Sequence, residues 1–397
     1  MSGTERSGNL SAMAKVFLHV GAPKTGTSMV QELLYNNRKT LAEHGILYPG
    51  RRRDAHFMAA LDLLERTWGG LEADAPGSWD YLVGKAQKWD GTVIISHEVF
   101  AGATEEQAKR AVNSLAGCDV HIVYTARDLS RQVPAEWQEQ VKHRKKLKYA
   151  SFLKDLRREE PQSYSSRWFW AVQNWPDVLR RWGAEVPDEN VHLVPVPPPG
   201  APRALLIDRL MNLWGIESEW LTETAERANV SLGAVETTVI RKINKRNPPT
   251  TYEGPYYREW VRELLAHRTL AGRDGARRLI LPPKHRDWAR TLTAQWAEEL
   301  REHAYDIRGD LDELDVVAEQ GEFIDPDQVS SGDQLRVALD VIDTLLAELV
   351  HERERGAGAA REAEHRGEVR LQEAMAMHAK KRRLRRFAGR VRRKLRF

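Results

Sequence analysis

Four residues with chemical reach crowd into one short stretch, "HVGAPKTGTSMVQEL" at 19–33: Lys24, Thr25, Thr27 and Ser28, set between and just after Gly21 and Gly26. The spacing nearly spells a phosphate-binding loop, G-x-x-x-x-G-K-[ST], but Thr27 stands where the lysine belongs and the lysine comes three residues early. A glycine loop entering a helix presents unpaired N–H groups and a partial positive charge, so it can hold an anion whatever reaction follows. Here an ammonium sits within the turn, and the hydroxyls of Thr25, Thr27 and Ser28 surround the anion. That set suits an anionic donor gripped by one lysine and several neutral groups. No later strand ends in an Asp placed for Mg²⁺, since "TVIIS" runs into His97 and Glu98 and "VHLVPV" into prolines, so no metal is expected.

Such a loop works only if a strand delivers it and a helix receives it. "KVFLHV" at 15–20 reads as a short buried strand, and from Thr27 onward Val30, Leu33 and Leu34 fall at helical spacing. Further buried strands are expected at 92–96, 119–126 and 191–196, with helical stretches between them. This alternation predicts a P-loop-like three-layer α/β sandwich: a central parallel sheet with helices on both faces. "PVPPPGAP" at 195–202 reads as a surface loop. The chain divides into a flexible leader at 1–14, a globular domain at 15–317, a linker at 318–334, a helical and coiled-coil segment at 335–379, and a basic amphipathic tail at 380–397. In the helical segment Leu335, Leu339, Ile342, Leu346 and Leu349 alternate spacings of four and three, a coiled-coil seam.

The stretch "KVFLHVGAPKTGTSMVQELL" resembles the 5′-phosphosulfate loop of sulfotransferases that use 3′-phosphoadenosine 5′-phosphosulfate (PAPS), where the lysine stands within the turn. A second stretch, "VYTARDLSRQVPAEWQEQVK" at 123–142, is similar to that family's 3′-phosphate segment and puts Arg127 in the position of the strand-ending arginine. The resemblance extends over roughly residues 15–317. It implies transfer of a sulfuryl group from PAPS to a hydroxyl or amine, and a donor site of Lys24, Thr25, Gly26, Thr27, Ser28 and Arg127. It departs at Ala135, where the family carries a serine on the 3′-phosphate; Ser130 or Arg131 on the same turn could supply that contact. "LAGRDGARRL" at 270–279 matches the family's later donor segment poorly, leaving Arg273 and Arg277 as weak candidates.

In-line transfer at sulfur asks for charge stabilisation at the leaving oxygen, which Lys24 can provide, and for a base at the acceptor. The end of "TVIISHEVF" offers His97 and Glu98 side by side at the carboxyl edge of the sheet, where open α/β sheets bind their ligands. His97 is preferred as base, then Glu98, with His56 and Glu43 behind them. The aromatics Trp168, Phe169, Trp170, Trp175 and Trp182 read as packing residues, and "KHRKKLK" at 142–148 as a solvated helix face.

The formal charge of +4 hides an asymmetry: residues 380–397 hold eleven Lys/Arg and no acid, which leaves 4 − 11 = −7 for the rest. A domain-wide nucleic-acid footprint is therefore not expected. The single cysteine, Cys118, excludes an internal disulfide and suits a reducing compartment. With a polar start and no long apolar run, the expectation is a cytoplasmic protein, peripheral at an anionic membrane surface if the tail lies on lipid. The acceptor is open among small molecules, carbohydrates and lipids, and pairing of the coiled coil would give a homodimer. Two other readings stay open: a P-loop nucleotide kinase or NTPase, and an inactive membrane-associated scaffold.

Overall fold

The computed structural model describes residues 13–202, 204–224, 231–316 and 321–358, with Glu362, Arg366 and Met377. The basic tail lies outside the described residues, as does most of the leader. Two compact units divide the chain, Met1–Val337 and Ala338–Phe397.

In the first unit six parallel strands form one sheet in the order β2-β3-β1-β4-β5-β6. They are β1 (Lys15–Gly21), β2 (Ile46–Leu47), β3 (Thr92–Ser96), β4 (Asp119–Ala126), β5 (Val191–Pro195) and β6 (Asp306–Ile307). The four longer strands fall where continuous apolar runs place them, because a parallel strand covered on both faces has no solvent side to make polar. β1 lies between β3 and β4, and all but the first of its residues are buried.

Helices cover both faces. On one, α1 (Thr27–Asn36) and the Leu205–Trp214 helix pack Val30, Leu33, Leu34, Leu206 and Leu210 against Phe17, Ile94, Val123 and Val194. Burial of each such side chain is worth roughly 1.5–3 kcal/mol. On the other, the Tyr124 hydroxyl donates to the Val172 carbonyl at 2.8 Å within the Tyr164–Gln173 helix. Trp168, Phe169, Trp175 and Trp182 are buried in the packing of this side.

The expected domain end at 317 falls inside the first unit. Beyond it, Asp327 pairs with Arg241 at 3.1 Å and accepts the Ala150 N–H at 2.9 Å, while Thr238 donates to the Pro326 carbonyl at 2.6 Å. In the second unit residues 338–358 are helical, with Leu339, Ile342, Leu346 and Leu349 each about half exposed or more. Among the described residues no helix is long and apolar enough to cross a membrane.

Candidate functional site

Where β1 stops, Gly21 begins the loop and Gly26 ends it at φ 93°, a left-handed conformation that favours glycine. A Cβ on Gly26 would also meet Leu206 at 3.3 Å. No side chain caps α1, which starts at Thr27, so its first-turn N–H groups face the site rather than a capping residue. Lys24 is itself left-handed, at φ 67°. That geometry costs a non-glycine residue about 1–2 kcal/mol, and the Lys24 carbonyl accepts a hydrogen bond from Arg127 Nη1 at 3.1 Å.

The six residues expected to hold the donor come together with different tasks. The Lys24 ammonium, one quarter exposed, lies 3.1 Å from Glu139 Oε2. Thr25 is buried, its hydroxyl donating to the Ala22 carbonyl at 2.6 Å and lying 2.5 Å from the Thr125 hydroxyl. These contacts pin the loop to β4. Thr27 is buried with its hydroxyl on Glu98, and Ser28 is exposed on the first turn of α1. Two amides brace the loop from outside: Gln132 and Gln173 donate to the Pro23 carbonyl at 2.5 and 3.2 Å.

Arg127 follows β4, and the next residue, fully buried Asp128, caps the Leu129–Lys142 helix. Ser130 donates to Asp128 Oδ1 at 2.5 Å. Arg131 pairs with the same carboxylate and donates to the Pro197 carbonyl at 3.0 Å. Both residues that could replace the missing serine at Ala135 are thus engaged by the cap. Arg273 and Arg277 sit at Glu236 and Asp333, at 3.3 and 3.9 Å.

At the end of β3 the geometry separates the two base candidates. His97 Nδ1 accepts the Val99 N–H at 3.2 Å. A neutral imidazole with its Nδ1 lone pair so used carries its proton on Nε2, 3.9 Å from Glu98 Oε2. Burial lowers the His97 pKa, with Glu98 opposing, so the neutral ring is the resting form. For Glu98 burial works upward, but attraction to His97 whenever that ring is charged, with hydrogen bonds from Gln31 and Thr27, works downward and leaves the carboxyl below its ordinary range. Gln31 donates to it at 2.9 Å. Glu98 is an ionised acceptor; His97 offers a proton rather than a lone pair.

The lesser candidates are occupied or remote. His56 is buried, its Nε2 2.5 Å from the Pro49 carbonyl and its Nδ1 accepting the Ser96 N–H at 3.0 Å. Glu43 is exposed at the end of the Arg38–Glu43 helix. "KHRKKLK" is not a solvated helix face: its helix ends at Lys142, Lys142 is buried, and Arg144 donates to the Asn247, Pro248 and Tyr252 carbonyls. Sequence reasoning passed over Glu139 and Gln31. The available signal was spacing: Ala135, Glu139 and Lys142 recur on one helical face, and Gln31 lies one turn after Thr27.

Among solved structures, the chain is similar to a sulfotransferase from Alicyclobacillus acidocaldarius, with 18% identity and a TM-score of 0.35 over 61% of this chain and 98% of that one. It is also similar to the sulfotransferase domain from the curacin biosynthetic pathway, with 9% identity and a TM-score of 0.31 over 55% of this chain and 79% of that one. No family model matches the sequence, and no curated protein matches it.

Proposed function

We propose that this chain is a PAPS-dependent sulfotransferase acting on a hydroxyl or amine acceptor without a metal, with Glu98 as its base. The observation that carries the reading is the convergence, around the loop that enters one uncapped helix, of Lys24, of Arg127 on the Lys24 carbonyl, and of Glu98 on the Thr27 hydroxyl. The exposed Ser28 and the first-turn N–H groups of α1 offer donors to a phosphate. PAPS supplies the sulfuryl group and leaves as 3′,5′-bisphosphoadenosine (PAP).

The protein's part is positioning and charge. Lys24 stabilises the negative charge that grows on the oxygen between phosphorus and sulfur as the sulfur–oxygen bond breaks. Glu98 takes the acceptor's proton as the new bond to sulfur forms. Gln31 and Thr27 hold the carboxylate by hydrogen bonds, and the His97 ring stands beside it with Nε2 at 3.9 Å. Thr25 and Thr125 lock the loop, and Arg127 fixes Lys24 from behind through its carbonyl while lying at the edge that would meet the donor's second phosphate.

The test is calorimetry with PAP followed by turnover of labelled PAPS with a cell extract, each with and without EDTA. Tight PAP binding and EDTA-insensitive sulfation support the reading. Binding of Mg-ATP in preference to PAP would replace it with a nucleotide kinase or NTPase. PAP binding without any sulfated product would leave an inactive scaffold.

For the second unit we propose pairing with a second copy, on the exposed apolar row Leu339, Ile342, Leu346 and Leu349. Sedimentation equilibrium checks it: a dimer becomes a monomer on Ile342→Asp with Leu346→Asp. The tail's proposed seat on anionic lipid is checked by liposome co-sedimentation before and after deletion of residues 380–397.

A further inference from the structure

Beside Lys24 the first unit gathers three cations and a histidine around one carboxylate, with burial lowering Lys142 to about 8 and His143 below its ordinary value. The Glu139 carboxylate is approached by Lys24 Nζ at 3.1 Å, Lys142 Nζ at 3.5 Å, His143 Nε2 at 3.2 Å and Arg262 Nη2 at 3.4 Å. One turn earlier lies Glu136, buried, with Oε2 lacking a hydrogen-bond partner and its pKa pushed up to about 7 by burial. Near neutral pH it carries only part of a charge. A third acid, Glu263, is felt at His267, where burial and Lys142 both act against protonation. Arg262 Nε is also buried without a hydrogen-bond partner.

A row of rings leads from the base to this cluster. Phe57 lies 5.0 Å from His97, Trp68 5.5 Å from Phe57, and His143 5.0 Å from Trp68, edge on. Beyond Trp68 the cations continue: Arg66 stacks on Trp168 at 3.6 Å and Lys145 sits over Tyr164 at 4.4 Å. An acceptor whose hydroxyl reached Glu98 would lay its body along Phe57 and Trp68, and its far end would meet Lys142 and Arg262. Cations held this close in a low-dielectric site repel one another, and an added anion relieves that repulsion more than it would at an open surface.

Resting on the sulfotransferase reading, we infer that the acceptor carries an oxyanion, a carboxylate, sulfate or phosphate, seated by Lys142 and Arg262 while its ring packs on Trp68. Lys24 and the α1 N-terminus remain for the donor. Glu139 serves as the internal counter-ion that the acceptor's acid group displaces or shares.

The experiment uses the full chain, with and without saturating PAP, and two matched pairs of probes: 4-hydroxybenzoate against 4-hydroxybenzamide, and glucuronate against glucose. Calorimetry is expected to show the acid of at least one pair binding tenfold or more tightly than its neutral partner, and Arg262→Gln to remove that preference while PAP still binds. The pair that responds tells an aromatic carrier from a sugar. Equal binding within both pairs, a preference that survives Arg262→Gln, or a loss of PAP affinity in that variant overturns the inference. Failure of the wild-type protein to bind PAP breaks the donor reading instead, and the acid preference measured without PAP then stands or falls by itself. Lys142→Gln repeats the test should Arg262→Gln not fold.

Discussion

The two ends of the same strands hold buried ionisable groups in opposite ways. At the carboxyl ends, Lys24, Glu98 and Arg127 gather around a helix terminus that no side chain caps, and Lys24 rests on a carboxylate it shares with three other bases. At the amino ends of β4 and β5, His121 Nδ1 and His192 Nε2 are 2.8 Å apart, and each ring's other nitrogen meets an acid, Asp119 at 3.0 Å and Asp306 at 2.6 Å. Asn190 holds Asp119 and Arg308 holds Asp306 in turn, and Phe17 packs on both rings. In the proposed reading the first arrangement exchanges its partners with a ligand. The second is closed. Burial of charge alone therefore does not mark a site; what marks it is partnership that a ligand can replace.

If that distinction holds, substitutions at the carboxyl edge change turnover and leave stability nearly untouched. The largest effect is expected from Glu98→Gln, which keeps the shape and removes the proposed proton acceptor: the proposed turnover of PAPS should fall by about a hundred- to ten-thousand-fold. His97→Asn, which removes only a neighbouring ring, should cost about tenfold under the same assay. A reversal of the two losses would return the base to His97 and break the tautomer argument. Lys24→Ala comes next, with kcat lower by about 10²–10³ because the leaving oxygen loses its cation. Glu139 keeps Lys142, His143 and Arg262 in that variant, so the melting temperature should hold to within a few degrees.

Arg127→Ala sharpens the comparison further. Loss of a charged hydrogen-bond donor is worth about 1.5–3 kcal/mol, so PAP affinity should drop about ten- to a hundredfold by calorimetry. An unchanged affinity would leave Arg127 as a brace of the Lys24 carbonyl and nothing more.

How far this site was legible in the sequence depended on whether its parts were local. β1, β3, β4 and β5 are readable because doubly covered strands are runs of apolar residues, and Lys24, Glu98 and Arg127 are readable because each stands at the end of such a run. β2 and β6 have two residues each and exist by virtue of their neighbours Thr92–Val93 and His192–Leu193. Thr25 looks like a ligand donor in its loop, but its partner Thr125 lies a hundred residues on. Glu139 is an ordinary helical glutamate until the fold brings Lys24 to it from 115 positions away. The sequence ranks His97 ahead of Glu98 because no residue pattern announces the Val99 N–H that occupies His97 Nδ1.

The smallest effect on turnover, and the test of the closed edge, comes from pH. Burial is the main force lowering His192 to about 4, with Asp306 opposing and His121 adding to the fall; His19 is lowered by burial to about 4 and His56 to about 3. In the unfolded chain these histidines take protons below about 6.5, while in the folded chain they do not until the pH is much lower. The unfolded state then binds more protons, so stability is fully present above about 6.5 and is lost as pH falls toward 4. Thermal unfolding followed by circular dichroism should show the melting temperature flat above pH 7 and falling through that window. His192→Asn should shorten the fall, since one of the titrating groups is gone, and should leave PAP binding unchanged because the ring sits at the opposite end of β5 from the donor loop. A fall in PAP affinity with that substitution would mean the two edges are coupled through the sheet, and the contrast between them would fail.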